Sequence, residues 1–424
     1  MMQRYLLAFS LLAIGMRSDA QITAIRCGKF FDGKTLSLES GVTILIEGNR
    51  ILFVGKEPAI PPGSKVIDLS GATVMPGLID AHTHMFLHGM RYEDAILKKS
   101  QQYRAIWATV SARKQLLAGF TTIRDVETEG AGYGDVALRD AINDGIVMGP
   151  RMQCATRALS ITGGYTPYGF SPDVEIPKGA QLADGIDGVR KAVREQITNG
   201  ADLIKITATG GVLSFAKNGQ NPQFSLDEAK AIVDTAHDYG MKVAAHAHGD
   251  EGMQRAILAG VDSIEHGTYM SDETMRLMKE KGTWYVPTIS AGVFVGEMAA
   301  KPGYYPEIVR PKALAVGPLI QATFGRAYKA GVKIAFGTDA GVFPHGRNAR
   351  EFELMVGAGM PPLEAIQSAT RNAAELLGES ANLGGLSSGK YADLVAVEGD
   401  PLEDITRMQS MAFVMKGGVV YKSP

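Results

Sequence analysis

Seven glycines, Gly119, Gly145, Gly200, Gly240, Gly260, Gly282 and Gly331, each close an amphipathic run and precede a short, apolar, β-rich one. Glycine just past a helix end takes the left-handed conformation without a Cβ penalty, so these positions read as helix C-caps. The pattern predicts strands near 74–82, 120–126, 151–158, 201–207, 241–246, 261–266, 284–289 and 332–338, with helices between them. Ser225 to Glu228, S-L-D-E, has the form of a capping box opening one of those helices. Eight such units imply an α/β chain folded as a (β/α)8 TIM barrel. A doubly wound sheet also alternates β and α, but no Gly-rich phosphate loop follows the first strand.

The flanks differ in style. Residues 21–75 and 386–424 carry short alternating strands joined by Gly and Asn turns, with E-G-N-R as a hairpin signal. The expected organisation is a barrel over 76–385 and one small β-sandwich domain assembled from both ends. Residues 1–20 read as a secretory signal: a basic start, an apolar run too short to span as a mature helix, and small residues at Ser18 and Ala20. Cleavage after Ala20 would make the protein periplasmic or secreted; an uncleaved anchor is the alternative. Cys27 and Cys154 are the only cysteines and fall in different expected domains, so they read as two separate buried thiols. With 43 basic against 45 acidic residues, nothing suggests nucleic acid or an anionic membrane surface as a partner, and a small molecule fits better.

Two features carry chemistry. In A-D-L-I-K-I-T, Lys205 sits among Leu203, Ile204 and Ile206 in what reads as a central strand with no edge to reach water from. A lone ammonium buried there costs several kcal/mol or gives up its proton. The second is the placing of the histidines, eight in all. His82 and His84 in D-A-H-T-H are two apart, so on a strand both face one side. His246 and His248 repeat the spacing after the fifth predicted strand, His266 ends the sixth and Asp339 ends the eighth. In a barrel these strand ends converge on one face. Imidazoles and a carboxylate suit zinc, with cobalt, manganese or iron possible. One strand-end histidine is more often a hydrogen-bonded loop residue, but this set spans four units. His237 reads as a surface or packing residue in mid-helix, and His88 lies in a loop where either role fits.

Taken together, P-G-L-I-D-A-H-T-H, the fourth-strand lysine, A-H-A-H-G, E-H-G-T and F-G-T-D-A-G resemble the metal-dependent amidohydrolase superfamily. The similarity is to its branch of Xaa-Pro dipeptidases, imidazolonepropionase-like proteins and secreted ochratoxin-hydrolysing amidohydrolases. It covers nearly all of the chain after residue 20, including G-K-Y-A-D-L-V-A-V near the C-terminus. The resemblance implies two divalent ions, zinc foremost. His82, His84 and Asp339 would hold one, His246 and His266 the other, and Lys205 would bridge them as a carbamate. Spacing alone does not choose between His246 and His248; the family pattern makes His248 a substrate or oxyanion contact.

A water shared by two cations ionises near neutral pH, and Asp339 would take its proton and pass it to the departing amine. Relatives often carry a histidine after T-G-G where this chain has Tyr165, which would face the substrate. Arg157 and His345 are further substrate contacts, and Arg157, Lys217 or Arg347 could counter a substrate carboxylate. The leading expectation is therefore a binuclear amidase or dipeptidase releasing an amino acid, proline or an aromatic one as in ochratoxin A. A cyclic-amide hydrolase or mononuclear deaminase is the second reading, against which Lys205 argues in the deaminase case. A non-catalytic exported metal-binding protein is the third. The resemblance also implies a symmetric homo-oligomer, commonly an octamer.

Overall fold

The computed structural model describes residues 21–89, 92–164, 171, 173–176, 178–213 and 219–424; the expected signal segment, Tyr165 and Lys217 lie outside them. The two ends of the chain meet in one eight-stranded mixed sheet. Leu394–Glu398 pairs antiparallel with Lys65–Pro76, which pairs parallel with Thr23–Phe30. The expected hairpin forms with Glu47 opposite Arg50 and Gly48 at φ 57°. Period-two alternation gives this sheet a core of its own, built on Ile25, Ile44, Val74, Leu394 and Phe413.

The middle of the chain is built of parallel strands. Leu78–Thr83, Phe120–Asp125 and Arg151–Cys154 form one sheet; Leu203–Thr207, Lys242–Ala247, Ser263–His266 and Trp284–Val286 run in order through a second. Backbone hydrogen bonds link the two sheets. Asp202 donates to the Cys154 carbonyl at 2.8 Å, and segment 332–338 lies between Trp284–Val286 and Leu78–Thr83, with Tyr285 donating to Lys333 and Ala81 to Phe336. The continuous stretch expected at 74–82 is divided at Gly77, where a Cβ would stand 2.1 Å from Thr121 Oγ1, so one half joins each layer.

All seven helix-ending glycines have positive φ, from 70° at Gly240 to 100° at Gly260, as the C-cap reading requires. The Ser225–Glu228 capping box is present on both sides. Segment 332–338 departs from expectation. It is extended but pairs through a single bridge, Ile334 to Tyr285. Helical neighbours intercept the groups a ladder would use: Asn372 Nδ2 donates to the Ile334 carbonyl, and Phe336 N–H donates to Ser368. Expected strand 151–158 likewise stops at Cys154. Cys27 and Cys154 are separate, buried and reduced, and burial pushes the Cys27 thiol up to about 12. Among the described residues no helix is long and apolar enough to cross a membrane.

Candidate metal centre

The parallel register brings the strand ends into line. Thr207 pairs with His246 and Ala247 with His266, while the His82 carbonyl accepts from Asp339 N–H at 2.8 Å. His266 and Asp339 both take left-handed backbone, φ 71° and 61°, which a non-glycine residue holds only when its surroundings enforce it. Asp80 supplies part of that enforcement. Its carboxylate accepts from His82 N–H, Thr338 Oγ1 at 2.6 Å and Asn348 Nδ2 at 2.6 Å, tying the first strand end to the segment carrying Asp339. Burial pushes the Asp80 carboxyl up to about 6 against those bonds.

Two groups of potential ligand atoms lie within 4.8 Å of one another: His82, His266 and Asp339, and His246, His248 and His266. His266 belongs to both. Asp339 Oδ1 is 3.1 Å from His84 Nε2 and 3.6 Å from His82 Nε2. Neither contact has hydrogen-bond geometry to Asp339 Oδ1, and His82 Nε2 is also buried without a hydrogen bond. Polar atoms are seldom left so without a partner to come.

The far nitrogen of each ring is tied. His82 Nδ1 lies 2.7 Å from Glu265 Oε2, His84 Nδ1 3.0 Å from the Glu127 carbonyl, His248 Nδ1 2.8 Å from Thr268 Oγ1 and His266 Nδ1 2.8 Å from Thr288 Oγ1. On His82, His84 and His266 that arrangement holds the ring with Nε2 as its ligand atom. On His246 it is Nε2 that bonds, to the Gly210 carbonyl at 3.2 Å. Anchored imidazoles, a carboxylate and buried atoms without hydrogen bonds fit divalent metal ions. Both His246 and His248 lie close to His266, with ring centroids at 4.6 and 5.0 Å.

Lys205 is 2% exposed and lines the same cleft as His84, His246, His266 and Asp339. Burial lowers its pKa more than Glu265, Glu127 and Asp339 raise it. Burial also pushes His248 down to about 3, helped by the charges of Lys312 and Lys205. His84 behaves oppositely: burial lowers it, but Asp339 and Glu129 together outweigh burial and raise it to about 9. The field at His84 thus favours positive charge, whether a proton or a metal carries it.

Several functional-looking groups were not anticipated. Glu265, fully buried, also accepts from Arg124 Nη2 at 2.8 Å, making a buried Arg–Glu–His chain behind the metal-facing nitrogens. Glu127 and Glu129 line the cleft beside His84. A charge set inside an apolar strand, the signal that exposed Lys205, is present in T-T-I-R-D and S-I-E-H as well. Of the expected substrate contacts, Arg157 is half-buried and donates to the Ala180 carbonyl. Both ring nitrogens of His345 are engaged, by Gln115 at 3.0 Å and the Leu87 carbonyl at 2.8 Å. Neither residue lines the cleft, and Arg347 is exposed. His237 is a surface residue bonded to Asp262, and His88 packs against Trp107. The cleft lining joins Lys205 and the polar groups beside it with an apolar wall that includes Val295, Val316 and Ile320.

The Amidohydrolase family profile matches residues 73–421. The chain is 37% identical to ochratoxinase of Aspergillus niger over 444 aligned residues, covering 97% of this chain and 89% of the relative. Among solved structures, a Xaa-Pro dipeptidase with methionine bound in its active site superposes with a TM-score of 0.91 at 48% identity, covering 95% of this chain and all of that one. A prolidase complexed with N-methylphosphonate-L-proline superposes at 0.87 with 33% identity, again over 95% of this chain and all of the other.

Proposed function

The chain belongs to the amidohydrolase family and is a hydrolase acting on amide bonds, and we propose that it is a binuclear metal-dependent dipeptidase or N-acyl amino acid amidase whose leaving group is proline or an aromatic amino acid. The two parallel sheets and segment 332–338 are read as one (β/α)8 barrel over 76–385, and the eight-stranded sheet as the β-sandwich of 21–75 and 386–424. Residues 1–20 would be an export signal cleaved after Ala20, and the mature protein a homo-oligomer.

The observation that carries the reading is Lys205. Its Nζ makes no hydrogen bond or ion pair among the described residues, and burial favours its neutral amine. A neutral amine captures carbon dioxide, and the resulting carbamate would bridge the His82–His84–Asp339 side and the His246–His266 side. Two zinc ions held there would supply an ionised water and polarise the scissile carbonyl. Asp339, whose Oδ1 has no hydrogen bond among the described residues, would accept the water's proton and return it to the leaving nitrogen. His248, neutral, would donate to the oxyanion from Nε2 in the tautomer whose Nδ1 accepts from the Thr268 hydroxyl. The apolar wall would receive a prolyl or aromatic ring.

The test is a turnover screen of dipeptides and N-acyl amino acids that varies the C-terminal residue, alongside elemental analysis of protein made with ample zinc and bicarbonate. Release of proline or an aromatic amino acid with two metals per chain is expected. One metal or none, or deamination of a ring substrate without amide cleavage, would overturn the assignment.

A further inference from the structure

The helix Gln101–Leu117 turns polar side chains inward and apolar ones outward. Arg104, Ser111 and Gln115 are buried on its inner face together with Ala108, Ala112 and Leu116. Two of those polar side chains hold loops beside the metal centre. Arg104 donates to the Phe86 and Thr128 carbonyls at 3.1 and 2.9 Å, and Gln115 bonds His345, which in turn bonds the Leu87 carbonyl. On the outer face, Tyr103, Ile106, Trp107 and Val110 follow the i, i+3, i+4, i+7 spacing of one stripe and are 41%, 71%, 39% and 45% exposed. Between Lys99 and Arg113 the only charged residue is the buried Arg104, and the helix contains no acidic residue.

A single exposed isoleucine means little, but four large apolar side chains in one stripe mark a contact surface. At those exposures the stripe presents about 400 Å². A stable interface takes roughly 800 Å² from each partner, a little over half of it apolar. The stripe thus supplies most of the apolar area that one side of such an interface needs, with exposed Gln102 and Arg113 at its rim. Its rings suit a solid partner better than lipid, because they are braced along the surface. Trp107 stacks on Tyr103 with centroids 6.2 Å apart and leans on His88 at 5.3 Å, while Lys99 Nζ lies 5.0 Å over the Tyr103 ring. Only Ile106, in the middle, projects well clear. A stripe with no charge in it calls for no oppositely charged ligand; its complement is another apolar stripe, and a second copy of the chain carries one. Two such helices crossing at about 50° about a two-fold axis keep their basic ends, Lys99 and Arg113–Lys114, splayed apart.

We propose that the outer face of the Gln101–Leu117 helix is where a second copy of the chain docks, helix on helix, about a two-fold axis at Ile106. This rests on the homo-oligomer reading above and gives it a surface. It also accounts for the inverted helix: the polar inner side chains are committed to loops around the metal centre, and the apolar outer ones to the partner.

The experiment uses zinc-loaded full-length protein. Sedimentation over a dilution series is expected to show a wild-type assembly with an even number of copies, and Ile106→Glu to show at most half as many. A carboxylate where an isoleucine is buried should weaken the contact by about 100-fold or more. Ile106→Cys supplies an accessible thiol in a chain whose own two cysteines are both buried, so bismaleimidoethane should join it to its own copy as a covalent pair. Leu258→Cys, an exposed position on another helix, should remain single chains under the same treatment. A folded Ile106→Glu protein of wild-type mass would overturn the contact while leaving the homo-oligomer standing. So would an Ile106→Cys protein that cross-links no better than Leu258→Cys. A wild-type protein that stays monomeric throughout would overturn both, and binding of that monomer to phosphatidylglycerol vesicles through Ile106 would assign the face to lipid instead. The cross-linking decides the matter even where Ile106→Glu fails to fold.

Discussion

Replacing Glu265 by glutamine tests whether the buried chain behind the metal-facing nitrogens is built of charge. Glu265 is fully buried, as are Arg124 and His82: Oε1 takes Arg124 Nη2 at 2.8 Å, together with the Ser263 hydroxyl, and Oε2 takes His82 Nδ1 at 2.7 Å. Glutamine keeps the shape but offers one acceptor and one donor, so either Arg124 or His82 faces an N–H. Arg124 is also left as a buried cation without its counter-ion. Removing one partner of a buried ion pair costs about 3–5 kcal/mol, a large share of a typical stability of about 5–15 kcal/mol. Losing the hydrogen bond that orients a metal-ligating imidazole costs about 10- to 100-fold in metal affinity. Urea unfolding of the metal-free protein should therefore show a drop of that size. Dialysis against graded chelator should release one zinc per chain at about 10- to 100-fold lower chelator activity than in the wild type. A Glu265→Gln protein that matches wild type within about 0.5 kcal/mol and keeps both metals would refute the reasoning.

Asp339→Asn should leave the fold in place and lower kcat by about 100- to 10,000-fold, the usual value of a positioned acid–base; turnover near wild type would remove Asp339 from the proton path. Protein stripped of metal and carbon dioxide should rebind two zincs per chain only when bicarbonate is supplied, and Lys205→Ala should lose that bicarbonate dependence, as read by elemental analysis. Burial raises the Glu351 carboxyl to about 8 although Ile289 and Ser290 N–H groups donate to it. Its protonated form is thus the stable one in the folded state, and its contribution is complete below about 4.5 and lost as pH rises through about 8. Unfolding free energy should fall between those limits, and Glu351→Gln should flatten the slope.

Local patterning made much of this molecule legible. Positive φ at Gly119, Gly200 and Gly260 follows from what a helix end demands of its next residue, and the capping box at Ser225 from the groups it must satisfy. Segment 332–338 reads as a strand because its composition is that of one, yet its pairing was settled by Asn372 and Ser368, some 30 residues away. The H-x-H pairs and Lys205 stood out because alternation and apolar context are local. Glu265 and Arg124 carried the same local signal, but their meaning depends on each other across 141 residues.

By itself, then, the sequence determined the alternating parallel architecture, the joining of both termini in one sheet and the residue types available at each strand end, since all of these follow from short-range periodicity and chain stereochemistry. Only the tertiary structure decided which nitrogen of each histidine is tied back, that His266 stands where the two ligand groups meet, that His345 is spent on Gln115 and Leu87, and that two carboxylates share the cleft with His84. Those are properties of direction and distance between segments remote in the chain, and hydrogen bonds and fields act through space rather than along the backbone.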